Sequence, residues 1–386
     1  AQAASGPQAL LPGARAARNM ALRGEEGWHA HHADHFGQDR WEALHRALHR
    51  DVEHLFFVNP FLDAERRRLL EREYSLEATT IPGAYSFDMP GEHVPSTHYR
   101  AIEHSDEHVI FVAPDEDAPR ENGIPRGPPA PFFFADGASL IAALALGAGD
   151  CDTVLDVCAA PGAKSLVLAS SMFAGRFRGD AFPDVRGRLV CNEVSKERAT
   201  KLQRAMRDFL PASLFEAGGP HGPHVVFTTA DAGTPSNSME RNGPYDKILL
   251  DAPCTADREL LRSGGKLDSW SQGIVRVSSE RLLKWLYNAL WLLREGGILL
   301  FCTTALSHDE CDGVVERLVR KASKNFSLEL LPLDDSVCCM VPSVAAELTP
   351  WGTRILPDQT PFGPLYFSRL QLVKRTHEAV MHIPGA

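Results

Sequence analysis

The chain has 386 residues, of which 44% are hydrophobic and 23% charged, and its formal net charge is −10. It is too apolar for a disordered chain and too long for a disulfide-stapled miniprotein, which leaves one large domain with an extension, or two domains. No uninterrupted apolar run reaches the roughly 18 residues of a membrane span, and the acidic balance argues against a wide nucleic-acid surface held by charge alone, though not against a local one.

The sequence starts at Ala1, and residues 1–23 hold Arg15, Arg18 and Arg23, many alanines and no acid. That composition resembles what is left of an organelle-targeting segment, the alternative being an ordinary tail. Residues 1–35 therefore read as a flexible, transit-peptide-like segment. His29, His31, His32 and His35 form a tract, and His45 and His49 are spaced i,i+4. Such spacing can bind a metal, but a solvated helix face explains it more simply, and no metal is assigned.

Trp41, Leu44, Leu48, Val52 and Leu55 recur at helical spacing and predict an amphipathic helix over 39–55. A highly charged helix is predicted over 63–74 (DAERRRLLEREY). Residues 81–113 are mixed, with one predicted strand, HVIFVA. Residues 114–131 contain six prolines and read as a linker. This divides the chain into an extension with linker (36–130), a second unit (131–375) and a tail (376–386).

Beyond the linker, apolar runs alternate with helical stretches: TVLDVCA, RLVCNEV, HVVFTTA, KILLDAP and GILLFCTTA. Apolar strands alternating with helices predict an α/β fold, its parallel sheet covered on both faces. Ligands in such sheets bind beyond the carboxyl ends of the strands. The first strand runs into Asp156 and the small-residue turn CAAPGAK, which lets a ligand approach a helix N-terminus. It is not G-x-G-x-x-G, so a dinucleotide is disfavoured, and an oxidoreductase with it. The second strand ends at Glu193, the third at Asp231, the fourth at Asp251-Ala-Pro-Cys254. Any one acid could be a helix cap. Four at successive strand ends suit a ligand with a ribose, an adenine amine and a positive centre, as S-adenosylmethionine has.

The stretch VLDVCAAPGAK followed by DAPCTADRE resembles the Nol/Nop/Sun (NSUN) family of RNA cytosine-5 methyltransferases. FFADGASLIAALALGAGD, HFGQDRWEALHRAL, LSHDE and FGPLYF are similar to its mitochondrial ribosomal-RNA branch, over about residues 35–373. The resemblance implies a seven-stranded Rossmann-like methyltransferase domain with a mixed, partly helical N-terminal extension. It implies that Ala160, Pro161, Gly162, Ala163 and Lys164 hold the methionine end of S-adenosyl-L-methionine. Glu193 would take the ribose with Arg198 beside it, and Asp231 and Ala232 the adenine. Lys164, Asp251 and Cys254 would serve the chemistry, Asp251 beside the methyl group and target base and Cys254 in product release. The family usually has glycine where Ala163 stands.

In that family a Cys thiolate adds to carbon 6 of cytosine, which makes carbon 5 nucleophilic. Counting from Gly296-Gly297, the attacking Cys is replaced by Thr304. A thiol can be tuned to thiolate, whereas a Thr hydroxyl needs an adjacent base. Three readings follow. The chain is catalytically dead and an assembly factor; or Cys254 is the nucleophile; or Cys302 substitutes after a shift of about 6–7 Å along the strand. An active small-molecule or protein methyltransferase is a fourth class, and the Pro-Cys motif argues against it.

The basic residues Lys196, Arg198, Lys201, Arg204 and Arg207, and Arg66, Arg67, Arg68 and Arg72, read first as solvated helix faces. No RNA-binding module is apparent. The resemblance therefore implies ribosomal RNA, a mitochondrial large-subunit precursor and an mTERF-type helical-repeat protein as partners, in the mitochondrial matrix and without a membrane. The cysteines, several in apolar runs and none in a C-x-x-C pair, read as reduced and mostly structural.

Overall fold

The computed structural model describes residues 23–87, 99–104, 109–114, 120–121, 124–125, 129–177, 185–216, 222–264, 266–333 and 345–376. The transit-like residues 1–22 and the tail from 377 onward lie outside them.

The N-terminal unit opens with two helices, α1 (Gly24–Phe36) and α2 (Gln38–Leu48). Helix α1 takes up residues 24–35 of the stretch expected to be flexible. It is ordered because Trp28 and His32 are fully buried against the second unit. Helix α2 buries Trp41, Leu44 and Leu48 as its periodicity predicts, but it stops at Leu48. The chain then turns into strand β1 (His54–Val58), so Leu55 belongs to a sheet and not to that helix. Helix α3 (Ala64–Glu73) follows, with Asp63 capping it by accepting from the Arg66 N–H. Strands β2 (Glu77–Ala78), β3 (Ala84–Ser86), β4 (Tyr99–His104) and β5 (Val109–Pro114) come next. A small hairpin of β6 (Arg120–Glu121) and β7 (Ile124–Pro125) lies within the expected linker, and β8 (Phe132–Asp136) follows.

These strands form a sheet with order β2-β3-β1-β8-β5-β4, antiparallel throughout. The sequence shows one strand of it. The alternation of β1 and β8 explains its two faces. Phe56, Val58, Phe132 and Phe134 pack with Leu70 and Tyr74 under α3. Leu55, Phe57, Phe133 and Ala135 join the core of the second unit. Asn59 locks the junction, its side-chain amide donating to the carbonyls of Ala130 and Phe209 at 2.7 Å each.

Helix α4 (Gly137–Ala145) starts directly from β8, capped by Asp136. It leads into β9 (Thr153–Asp156), α5 (Ala163–Phe173), β10 (Arg188–Asn192), α6 (Lys196–Phe209) and β11 (Val225–Thr228). The one-turn α7 (Asn237–Glu240), β12 (Tyr245–Asp251), α8 (Asp257–Arg262), the long α9 (Gln272–Leu292) and β13 (Leu293–Thr303) come next. Helix α10 (Asp312–Ala322), β14 (Phe326–Leu330), β15 (Glu347–Leu348), β16 (Thr353–Ile355) and β17 (Leu365–Arg375) complete the unit. The order is β11-β10-β9-β12-β13-β17-β16-β15, with β14 also on β17. The first five strands are parallel, and β17 runs antiparallel to β13 and β14. This is the seven-stranded methyltransferase sheet, and β15 and β16 extend it to nine strands. No helix among the described residues is long and apolar enough to cross a membrane.

Candidate active site

The carboxyl ends of β9, β10, β12 and β13 meet on one edge of the sheet. Asn192, at the end of β10, staples that end to the ends of β9 and β11. Its amide donates to the carbonyls of Val157 and Ala230 at 2.9 Å each, and its oxygen accepts from the Thr228 hydroxyl and the Ala230 N–H.

The turn from β9 to α5 passes through a cis Ala160–Pro161 bond to Gly162, whose φ of 126° disfavours any side chain. Gly162 is the N-cap of α5 and supplies no side-chain hydrogen bond. The first N–H groups of an eleven-residue helix thus lack a side-chain cap, a setting that favours a carboxylate. Ala163 is buried in the core beneath the turn. Lys164 is buried too; its ammonium lies 2.6 Å from Asp251 Oδ2 and donates to Ser139 Oγ at 3.1 Å. Ser139, on α4, carries no sequence signal of its own.

Glu193 is buried and accepts from the Ser195 N–H at 2.9 Å. Arg198 reaches it at 3.5 Å and donates to the Ala160 carbonyl at 2.8 Å. One guanidinium thereby links the second strand end to the first turn. Asp231 is exposed on the third strand end and accepts from the Gly233 N–H at 2.7 Å, beside a buried Ala232. Asp156 is buried and accepts from the Ser165 hydroxyl at 2.6 Å. Burial raises the Asp156 carboxyl to about 7, against the Ser165 bond, which opposes the rise.

Asp251 receives a second contact. Cys302 is fully buried, and its thiol donates to Asp251 Oδ1 at 3.2 Å. Burial, with the Asp251 charge behind it, pushes that thiol well above its ordinary value. Two residues on, Thr304 leaves the strand and meets Cys254, with Oγ1 and Sγ 3.3 Å apart. The Cys254 sulfur is the only hydrogen-bond partner of the Thr304 hydroxyl among the described residues. Cys254 is half-buried and accepts from the Ala256 N–H at 3.3 Å. Its thiol is pushed up to about 12, chiefly by burial and then by the Glu310 charge, against hydrogen bonds to Thr303 and Thr304.

Two buried carboxylates that the sequence reading did not assign join the loops bearing Cys254 and Thr304. Asp257 Oδ2 accepts from the Leu306 N–H at 2.8 Å, across to the Thr304 loop. Its Oδ1 accepts from Trp28 Nε1 at 2.8 Å and meets His32 Nε2 at 3.0 Å. Glu310, from a 3-10 turn at His308–Glu310, returns the link. It accepts from the Thr255 N–H at 3.1 Å and from the Thr255 hydroxyl at 2.6 Å. Each loop sends one carboxylate to the other. The histidine tract serves this hub: His32 stacks on Trp41, and His31 meets Ser307 Oγ at 3.1 Å. No group of three or more His, Cys, Asp or Glu among the described residues is placed to hold a metal.

A family model for the 16S rRNA methyltransferase RsmB/F matches residues 143–371, more than half of the chain. The chain belongs to this methyltransferase family. Among curated relatives, the 5-cytosine rRNA methyltransferase nsun-4 of Caenorhabditis elegans is 29% identical over 269 residues, 67% of this chain and 52% of that protein. The mitochondrial tRNA (cytosine(34)-C(5))-methyltransferase of Danio rerio is 31% identical over 253 residues, 63% of this chain and 61% of that protein. The chain thus spans between half and about three fifths of these relatives' lengths. The structure of NSun6 from Pyrococcus horikoshii with SFG, an S-adenosylmethionine analogue, shares the fold. Its TM-score is 0.61 at 17% identity, over 90% of this chain and 97% of that one.

The methyl donor of this family is S-adenosylmethionine, and the strand ends suit it. The α5 N-terminus without a side-chain cap fits a carboxylate, buried Glu193 offers acceptors to a diol, and Asp231 offers one to an exocyclic amine. The basic helix α6 is largely paired within the protein: Lys201 to Glu197 at 2.9 Å, Arg204 to Asp208 at 3.8 Å, and Arg207 over Phe215. That favours a solvated, ion-paired face.

Proposed function

We propose that this family member keeps the cofactor site but has lost the nucleophile, and works as a ribosomal-RNA-binding assembly factor of the mitochondrial large subunit. The observation carrying this reading is the surroundings of Thr304. Its hydroxyl has a protonated thiol for a neighbour and no base among the described residues. A Thr hydroxyl without a base is a poor nucleophile at neutral pH. In this reading Gly162, Ala163, Lys164, Glu193, Arg198, Asp231 and Ala232 hold S-adenosylmethionine, and residues 36–130 and 131–375 are the two parts of one family unit. Mitochondrial placement is supported by relatives named mitochondrial, and a large-subunit role would place the chain in the matrix. An mTERF-type partner supplies RNA affinity that the acidic chain lacks.

A second reading has one specific observation in its favour. Cys254 lies 3.3 Å from Thr304, so a thiol stands beside the replaced position. An active cytosine-5 methyltransferase would then use Cys254, whose thiol must first be brought down from about 12 by bound RNA or cofactor.

Isothermal titration with S-adenosylmethionine tests the cofactor claim; absence of heat and of competition at millimolar ligand contradicts it. Mass spectrometry of a mitochondrial pull-down tests the assembly role. Recovery of large-subunit components with an mTERF-type protein is expected, and recovery of neither contradicts the role.

A further inference from the structure

We infer that Glu310 is a positioning residue: its buried carboxylate crosses between two loops and, through Thr255, seats Cys254 against Thr304. This rests on the reading above that Cys254 and Thr304 occupy the reacting end of the site, and it adds what sets the behaviour of Cys254.

Glu310 is fully buried. Both its oxygens are used on the residue next to Cys254, Oε1 on the Thr255 N–H and Oε2 on the Thr255 hydroxyl. The Ser278 hydroxyl of α9 also bonds to it. A buried carboxylate with this many donors is a fixed point, because losing one partner leaves a charge or a donor uncompensated. The segment it holds is strained: Ala256, two residues past Cys254, has a φ of 49°. Thr255 is thus held from the front by Glu310, while Ala256 turns its N–H back onto the Cys254 sulfur.

The same placement puts a negative charge next to the thiol. The charged groups around Cys254 come from three elements. Glu310 ends the 3-10 turn after β13, and Asp257 begins α8 three residues past Cys254. Arg281 of α9 donates to the Pro253 carbonyl at 3.0 Å, but it is exposed and solvent-screened. Cys311 beside Glu310 is itself held protonated. The carboxylate that seats Cys254 thus adds to burial in keeping it a thiol. That inverts the usual arrangement of a reactive cysteine, which sits in an electropositive setting.

The test is the rate of alkylation of Cys254 by iodoacetamide in the folded full chain, resolved by peptide mass spectrometry from pH 6.5 to 10. Two variants separate charge from reach. Glu310→Gln keeps the length and removes the charge; we expect the midpoint of the profile to move to lower pH and the rate at pH 8.5 to rise at least about threefold. Glu310→Asp keeps the charge but falls one methylene short of Thr255. Its rate should rise by at least about threefold as the seat loosens, with no downward move of the midpoint. A merely structural role would leave both midpoints in place. Wild-type rate and midpoint in either folded variant would overturn the inference. It fails separately from the proposed function: a covalent adduct with RNA contradicts the loss of the nucleophile, whereas these profiles decide the role of Glu310.

Discussion

The Cys254 sulfur and the Thr304 hydroxyl stand 3.3 Å apart, at the meeting point of the β12 and β13 ends. Two positions that would each carry a thiol in the resembled NSUN enzymes are adjacent here, and one of them is a hydroxyl. Around them Lys164 pairs with Asp251, Glu193 lies beside Arg198, and a glycine caps α5.

If the missing thiol is the only chemical defect, Thr304→Cys should create a nucleophile without rebuilding the site. The side chains are close in size, and the expected stability change is within about 0.5 kcal/mol. We expect RNA carrying 5-fluorocytidine to form a denaturation-resistant adduct with this variant. A folded variant that gives none would mean that a further defect exists.

Glu193 should matter for the cofactor and little for RNA. Glu193→Ala removes a buried acceptor, and a hydrogen bond to a charged group is worth about 1.5–3 kcal/mol, a loss of roughly 10- to 100-fold in affinity. Calorimetry with S-adenosylmethionine checks it. An unchanged affinity would remove Glu193 from the cofactor site.

The N-terminal helix should be a structural part of the site. Trp28→Phe deletes one donor to the buried Asp257 and should cost about 1–3 kcal/mol. Trp28→Ala should cost roughly 3–5 kcal/mol by adding a cavity. Urea unfolding measures both. Equal and negligible losses would show that α1 is not anchored through Asp257.

Asp156 and Glu310 both have carboxyls raised to about 7 by burial. In each case the folded chain binds its proton more tightly than the unfolded chain, whose carboxyls titrate near 4. The stability from these groups is fully present below about pH 4 and is lost as pH rises through about 7. His31, with its imidazole lowered by burial, works the other way below its ordinary range. The comparison is therefore between variant and wild type. Asp156→Asn should gain on the wild type in melting temperature from pH 5 to 8 and level off above. Parallel curves would contradict the raised carboxyl.

The sheet was legible because its strands are buried on both faces: runs such as KILLDAP and GILLFCTTA have few other homes. The site was legible where chemistry sits at a strand end, as with Glu193 and Asp251. The antiparallel N-terminal sheet was not, because short strands such as Glu77–Ala78 and Ala84–Ser86 show too little alternation to stand out. The helix predicted over 39–55 overruns α2 because Val52 and Leu55 continue its spacing by coincidence, Leu55 being in β1. Asp257 and Glu310 carry no sequence signal of their role, since each looks like an ordinary helix-start acid. Their partners, Leu306 and Thr255, lie 49 and 55 residues away in sequence.

The central claim is that Thr304 leaves the site without a working nucleophile. Incubating the wild-type chain with S-adenosylmethionine and 5-fluorocytidine-containing ribosomal RNA, then resolving it on a denaturing gel, tests this most directly. The expected result is no covalent adduct, together with an adduct from Thr304→Cys under the same conditions. An adduct from the wild type that disappears in Cys254→Ala would contradict the claim and make Cys254 the nucleophile.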